Sequence, residues 1–264
     1  SVVIAVSFFQ YKNSSNKVLT IFRKVYLAPI VYLIYVQVQN YVQIINSNLV
    51  DDILIKWDQF IFGGNPTEFL HKISFPFLTE ILQICYMLYF VMPLMVAVDL
   101  HLKKNTIGFD VFARMILFAF YWSYLMYFFM PAIGPRFTIH DFSTLNLEIP
   151  GLYLTEFLRG IVNNGGGIPI GHPDPAAVVN RDCMPSGHTW ITLTNMIIAF
   201  RYKSSFRWLV LIGGSGLIFA TVYLRYHYVV DVLAGAIFAL LTIYLEPKVR
   251  TFFKNRLNIG VNNQ

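Results

Sequence analysis

Two histidines and one aspartate carry the most specific chemistry in this 264-residue chain. His227 and Asp231 stand four residues apart within TVYLRYHYVVDVLAG, residues 221–235, so a helix places their side chains one turn apart on one face. A carboxylate bonded to one imidazole nitrogen fixes the tautomer, leaves the other nitrogen free to attack, and stabilises the cation that forms. Those are the requirements for a histidine that attacks phosphorus. Asp231 opens an otherwise apolar stretch, where an ionisable group marks a functional site. The structural alternative is an ion pair with Arg225 at a membrane edge.

His188 lies in RDCMPSGHT, residues 181–189, behind Pro185, Ser186 and Gly187. Proline suits the first turn of a helix, and the unpaired N–H groups there, with the positive end of the helix dipole, attract an anion. Ser186 adds a hydroxyl donor and Gly187 lets a phosphate approach the backbone. A histidine beside that phosphate can protonate a departing oxygen and later deprotonate an incoming nucleophile. A capped helix start is the plain structural reading of PSGH alone. A third segment, PAIGPRF at 131–137, offers Arg136 as a phosphate ligand.

The elements that must position these groups follow from composition. The chain is 56% hydrophobic and 13% charged, more apolar surface than a soluble domain of this length can bury. Apolar stretches that approach the roughly 20 residues needed to cross a bilayer fall near 25–46, 75–98, 108–132, 186–202, 207–224 and 228–246. The expected fold is therefore all-α: a single integral membrane domain over 1–264, built as a six-transmembrane-helix bundle. The leading SVVIAVSFFQ is too short to span, and no basic residue precedes it; it reads as an interfacial segment and not as a signal peptide.

Lysine and arginine set the orientation. With a cytoplasmic N-terminus, that side receives Lys12, Lys17, Arg23, Lys24, Lys103, Lys104, Arg201, Lys203, Arg207, Lys248, Arg250, Lys254 and Arg256. The opposite side holds Lys56, Lys72, Arg136, Arg159, Arg181 and Arg225, so both termini are expected to be cytoplasmic. The end of the third span, the start of the fourth and the junction of the fifth and sixth then share the outer face, where the three segments can converge. The net charge of +6 lies in short clusters between apolar runs, a topology signal and not a nucleic-acid surface.

Two long outer loops, about 47–74 and 133–185, each contain a helical pattern. In the first, Ile53, Leu54, Trp57, Phe60 and Ile61 form a stripe opposite Asp51, Asp52, Lys56, Asp58 and Gln59; in the second, Leu154, Phe157, Leu158, Ile161 and Val162 oppose Glu156 and Arg159. Both read as interfacial helices, flanking a lateral route for a lipid or simply packed on the bundle. His71, His101, His140 and His172 read as ordinary surface histidines, and NNGGG at 163–167 as a flexible loop. Cys85 and Cys183 suggest neither a disulfide framework nor a zinc site.

PSGHT followed by VYLRYHYVVDVLAG resembles the second and third signature motifs of the type 2 phosphatidic acid phosphatase superfamily, and GPR at 134–136 is similar to the first motif of many bacterial members. The resemblance is clearest over 75–246. It implies metal-independent phosphotransfer through a phosphohistidine, with no cofactor, on a membrane phospholipid or polyprenyl phosphate, in a bacterial plasma membrane with the site on its outer face. Carried onto matching positions, His227 is the nucleophile, Asp231 its orienting partner, and His188 the general acid and then base. Ser186, Gly187 and Arg136 hold the phosphate oxygens.

Two departures from the family pattern stand out. No lysine occurs in YLMYFFM, two turns before Arg136, and Ala220 and Thr221 occupy positions where the third motif carries serine and arginine. Arg225, one turn beyond Thr221, is the proposed substitute for that arginine, and Arg181 the candidate for the lysine, with a solvated loop residue as its plain alternative. The short spacing of RYHYVVD is also similar to inositol phosphorylceramide and sphingomyelin synthases, which pass the phosphoryl group to a lipid alcohol. PSGH favours hydrolysis. A transporter or scaffold on the same fold is the reading from another class, disfavoured because Asp231 is nearly alone among the spans at mid-depth and Glu80 lies near an end. Oligomeric state and head group leave no trace in the sequence.

Overall fold

The computed structural model describes residues 27–261, and these are helical with no strand among them. The leading apolar segment and its basic residues Lys12, Lys17, Arg23 and Lys24 lie outside the described residues. Helix α1 (Leu27–Ile45) leads into α2 (Asp51–Phe62) and the short α3 (Pro66–His71). The long helices α4 (Pro76–Leu102) and α5 (Thr106–Phe129) follow, α4 opening on proline and α5 capped by the Asn105 side chain, which accepts from Gly108 N. The second long loop holds α6 (Pro135–Thr138), α7 (Leu145–Glu148), α8 (Thr155–Gly165) and α9 (Pro175–Val178). The chain closes with α10 (Gly187–Arg201), α11 (Arg207–Tyr223) and α12 (Val229–Val261).

Helix α10 is the axis of the bundle, packed by α4, α5, α11 and α12, while α11 lies along α4 and α1 along α5. Its central place explains why it is buried nearly all round, with Trp190, Ile191 and Ile198 meeting Met92 and Val96 of α4, Met115 and Ala119 of α5, Leu217 of α11 and Ala239 of α12. The Trp190 indole N–H donates to Thr242 Oγ1 at 2.7 Å, which satisfies a polar group that burial would otherwise penalise. At the far end of α10, Lys103 donates to the Lys203 carbonyl at 3.1 Å and pairs with Asp99. The basic turns after α4 and α10 therefore meet at the end of the bundle opposite His188.

Among the described residues, three helices are long and apolar enough to cross a membrane: Pro76–Leu102, Thr106–Phe129 and Val229–Phe253. The expected fourth and fifth spans are shorter, with α10 at 15 residues and α11 at 17. The expected sixth, to 246, continues past Pro247 as one helix. Phe90, Leu94, Ile107, Phe129, Ile212, Ile237 and Leu240 all face outward, an apolar exterior suited to hydrocarbon.

Each of the two loop helices buries selected polar side chains. In α2 the buried residues are Asp51, Leu54 and Asp58, while Ile53, Trp57, Phe60 and Ile61 stand exposed, Phe60 to 90%. In α8 the buried residues are Thr155 and Arg159, with Phe157 and Ile161 outside. Asp52, Lys56, Gln59 and Glu156 remain exposed beside these apolar side chains, so each helix shows a mixed outer surface of the kind that suits an interface.

Candidate active site

The site forms where the ends of α5, α11 and the starts of α10 and α12 meet. Ser186 is the N-cap of α10: its Oγ accepts from Thr189 N at 3.2 Å and from the Thr189 hydroxyl at 3.1 Å, which leaves its own O–H to donate. His188, one residue into the helix, reaches His227, with 3.3 Å between His188 Nδ1 and His227 Nε2. Gly187 faces the Tyr127 hydroxyl so closely that a Cβ would stand 2.6 Å from it.

His227 is held from behind. Its Nδ1 is 2.9 Å from the carbonyl oxygen of Cys183 and 3.4 Å from Asp231 Oδ2. With two acceptors there, Nδ1 carries the proton and Nε2 presents its lone pair toward His188. Asp231 Oδ2 also accepts from the Cys183 thiol at 2.8 Å and from Tyr228 N at 3.0 Å. The last contact is half of a capping box, because Asp231 sits three residues beyond the residue that precedes α12. The local start of α12 thus aims the carboxylate back at the histidine. Burial, and then the negative charge of Asp231, push the Cys183 thiol well above its usual range, so it is a donor and not a thiolate. Cys183, His227 and Asp231 place donor atoms within 4.8 Å of one another, the spacing of a metal-ligand set, although each is already engaged in the hydrogen bonds just described.

The second histidine is fixed by aromatic rings. Tyr86 stacks on His188 with 4.6 Å between centroids, and Tyr89, one turn along α4, lies 4.4 Å away. Tyr86 also contacts Tyr226 at 4.5 Å, and the Arg136 guanidinium stands 4.9 Å over that same Tyr226 ring. A continuous ladder therefore runs from Arg136 through Tyr226 and Tyr86 to His188. Arg136 is buried, donates from one arm to Asn163 Oδ1 at 2.8 Å, and its backbone N–H donates to the Arg225 carbonyl at 3.1 Å.

The arrangement differs from sequence-based expectation at several positions. Arg225 adopts a left-handed φ of 65° and points its guanidinium to Glu148, with which it forms a short ion pair. The Thr144 hydroxyl and Arg225 hold the Glu148 carboxyl below its usual range. Arg181 donates to the carbonyls of Asn46 and Ser47 at the end of α1, at 3.3 and 3.2 Å. Both guanidinium groups are thus engaged away from the histidine pair, one by Glu148 and the other by the end of α1. Asn163, Asn164 and Gly165 are the last turn of α8, so the flexible loop expected at 163–167 is a helix end whose first residue grips Arg136. His140 is not an ordinary surface group: its Nε2 is 2.8 Å from Thr67 Oγ1, and burial, with the positive Arg225 nearby, pushes it down to about 4.

Tyr86 and Tyr89 went unmarked in the sequence, and Asn163 was read only as part of a loop. The only local signal was the spacing of the two tyrosines in CYMLY, which puts them on one helix face.

The fold is a helical bundle with three membrane-compatible helices and, at one end, His188 against the buried His227 and Asp231. The chain belongs to the PAP2 superfamily, whose profile matches residues 54–245. It is also 28% identical over 190 residues, 64% of its length, to a PA-phosphatase related-family protein of Dictyostelium discoideum. The match spans 31% of that relative's own length. No solved structure gives a significant match. Family membership supports a phosphatase-type enzyme in a membrane.

Proposed function

We infer that this protein hydrolyses a lipid phosphomonoester or diphosphate through a phosphohistidine on His227, at the outer end of a six-span bundle completed by α1, α10 and α11. The observation that carries this reading is the 3.3 Å contact between His188 Nδ1 and His227 Nε2, with Nδ1 of His227 held by Cys183 and Asp231 behind it. One ring is oriented as nucleophile; the other sits where a leaving oxygen must collect a proton.

The steps balance on these groups. The substrate's phosphate enters with one acidic proton and passes it to His188; the Nε2 lone pair of His227 then attacks phosphorus, the bond from phosphorus to the lipid oxygen breaks, and His188 gives that oxygen the proton. The buried Asp231 stabilises the positive imidazole. His188, now neutral, takes a proton from water, whose oxygen attacks phosphorus; the P–N bond breaks and its electron pair returns to His227. The two rings are in direct contact, so a phosphate enters by replacing their mutual hydrogen bond. Ser186, Gly187 and Arg136 are the proposed ligands of its oxygens, acting by positioning and charge stabilisation.

The test is phosphate release from a panel of lipid phosphates by purified wild-type protein and by His227→Ala. Release by the wild type that falls at least about 10³-fold in the variant supports the reading. Equal rates exclude His227 as nucleophile. Adding candidate lipid alcohols separates hydrolysis from transfer, since a phosphotransferase moves the label into a new lipid.

A further inference from the structure

Helix α2 lies outside the three motif segments, yet its two buried carboxylates bind two of them. Asp51 accepts from Ile133 N at 3.1 Å and Gly134 N at 2.8 Å, at the bend that leads to Arg136. The same carboxylate accepts from the Tyr228 hydroxyl at 2.8 Å, the residue next to His227. Two turns along α2, Asp58 accepts from Val229 N and Val230 N, both at 2.9 Å, the first two amides of α12. Asp51 is 3% exposed and Asp58 1%.

Burying two carboxylates beside an anion site is unfavourable unless each is held by donors. Burial pushes both upward, and the N–H groups of the two motif segments oppose that shift. Asp58 also faces the positive end of the α12 dipole, which favours the anion. The two segments, 90 residues apart in sequence, also touch directly, through the Arg136 N–H that donates to the Arg225 carbonyl at 3.1 Å and the Thr138 hydroxyl 2.6 Å from that of Tyr228, and α2 ties them a second time from outside. Gly134 leaves no room for an alternative arrangement: its φ is 93°, and a Cβ there would stand 2.7 Å from the Tyr226 carbonyl.

We propose that Asp51 and Asp58 are positioning residues for phosphotransfer, and that α2 is a clamp which sets the distance between the Arg136 loop and the nucleophile His227. This rests on the phosphotransfer reading of the same site. The carboxylates act through backbone amides and never touch phosphate. Asp51 fixes the bend before Arg136, Asp58 fixes the first turn of α12, and the rigid two-turn spacing between them transmits one position to the other. Loosening either end lets the phosphate ligand and the nucleophile drift apart, which harms the step that needs both in register and leaves lipid binding largely intact.

The experiment uses the full chain in detergent or lipid vesicles, with Asp58→Asn, Asp51→Asn and the milder Tyr228→Phe, which removes the hydrogen bond to Asp51 and the contact with the Thr138 hydroxyl. Expected for the aspartate variants are a fall in kcat of about 10- to 100-fold with KM within about threefold of wild type, and about three- to tenfold for Tyr228→Phe. Amide hydrogen exchange should quicken at 131–134 and 228–232 and stay unchanged in α4 and α11. A kcat within twofold of wild type in Asp58→Asn and Tyr228→Phe overturns the proposal. So does faster exchange throughout the bundle, which assigns the carboxylates to general stability alone. If the wild type and His227→Ala release phosphate equally, the phosphotransfer reading is what has failed, and the exchange pattern still decides whether α2 clamps the two segments.

Discussion

His227 turns Nδ1 toward the carbonyl oxygen of Cys183, 2.9 Å away, and stands further, at 3.4 Å, from the carboxylate of Asp231. The ring's tautomer thus has a backbone anchor that no side-chain substitution removes. In the proposed mechanism Asp231 is left with a different task, stabilising the charge that appears on the ring.

Asp231→Asn is accordingly expected to lower kcat by about 10²- to 10³-fold, less than His227→Ala, because orientation survives while charge stabilisation is lost. Steady-state rates for the two variants side by side decide this. A loss in Asp231→Asn as deep as in His227→Ala would show that the carboxylate, and not the carbonyl, orients the ring.

The tyrosine pair on α4 gives a second expectation. Tyr86 and Tyr89 contact His188 within 4.6 Å and leave it little freedom to turn. Tyr86→Phe keeps the ring and should retain activity within about threefold, whereas Tyr86→Ala should lower kcat by about tenfold or more, the stacking contribution being on the order of 1 kcal/mol. Equal rates for the Phe and Ala variants would leave the stacking without a role.

Asn163 is expected to matter through Arg136. Removing the amide in Asn163→Ala frees a guanidinium arm that otherwise stays 2.8 Å from Oδ1, and a loss of about tenfold in kcat/KM should follow. Arg136→Lys, which keeps charge but loses the planar fork, should lose more. The comparison that counts is the order: Asn163→Ala more damaging than Arg136→Lys contradicts this arrangement.

His140 supplies a pH dependence independent of catalysis. Burial and the nearby Arg225 lower it from 6.5 to about 4, so between those values the unfolded chain binds more protons than the folded one. Its contribution to stability is present above pH 6.5 and is lost as pH falls toward 4. The unfolding midpoint in detergent should decline across that window, and His140→Gln should flatten the decline while keeping a partner for Thr67. An unchanged slope in the variant would assign the pH dependence elsewhere.

Much of the site's composition was legible because it is local. The four-residue spacing of His227 and Asp231, and the Pro185–Ser186–Gly187 lead into His188, are features of single turns, readable without tertiary contacts. Tyr86 is a different matter: nothing in CYMLY announces a histidine about a hundred residues later, since stacking is a product of how α4 crosses α10. The amphipathic pattern of α2 was equally plain, but periodicity does not say which face turns inward. That choice belongs to the surroundings. Asp51 and Asp58 point inward because backbone amides await them there, and Trp57 and Phe60 face outward. Arg225 was read by its distance along the chain from Thr221, yet its left-handed backbone sends the guanidinium to Glu148. The six expected spans rest on hydropathy, which reads apolar content and not where a helix ends, and α10 and α11 come to 15 and 17 residues.

The most direct measurement is capture of the covalent intermediate. Purified protein is mixed with a lipid labelled in its terminal phosphate, quenched in alkali within the first turnover, digested and sequenced by mass. The expected result is an acid-labile, alkali-stable phosphoryl group on His227, absent from His227→Ala and longer-lived in His188→Ala, where the water-activating base is gone. Full-rate phosphate release with no phosphorylated histidine, or with the label on another residue, would contradict the assignment.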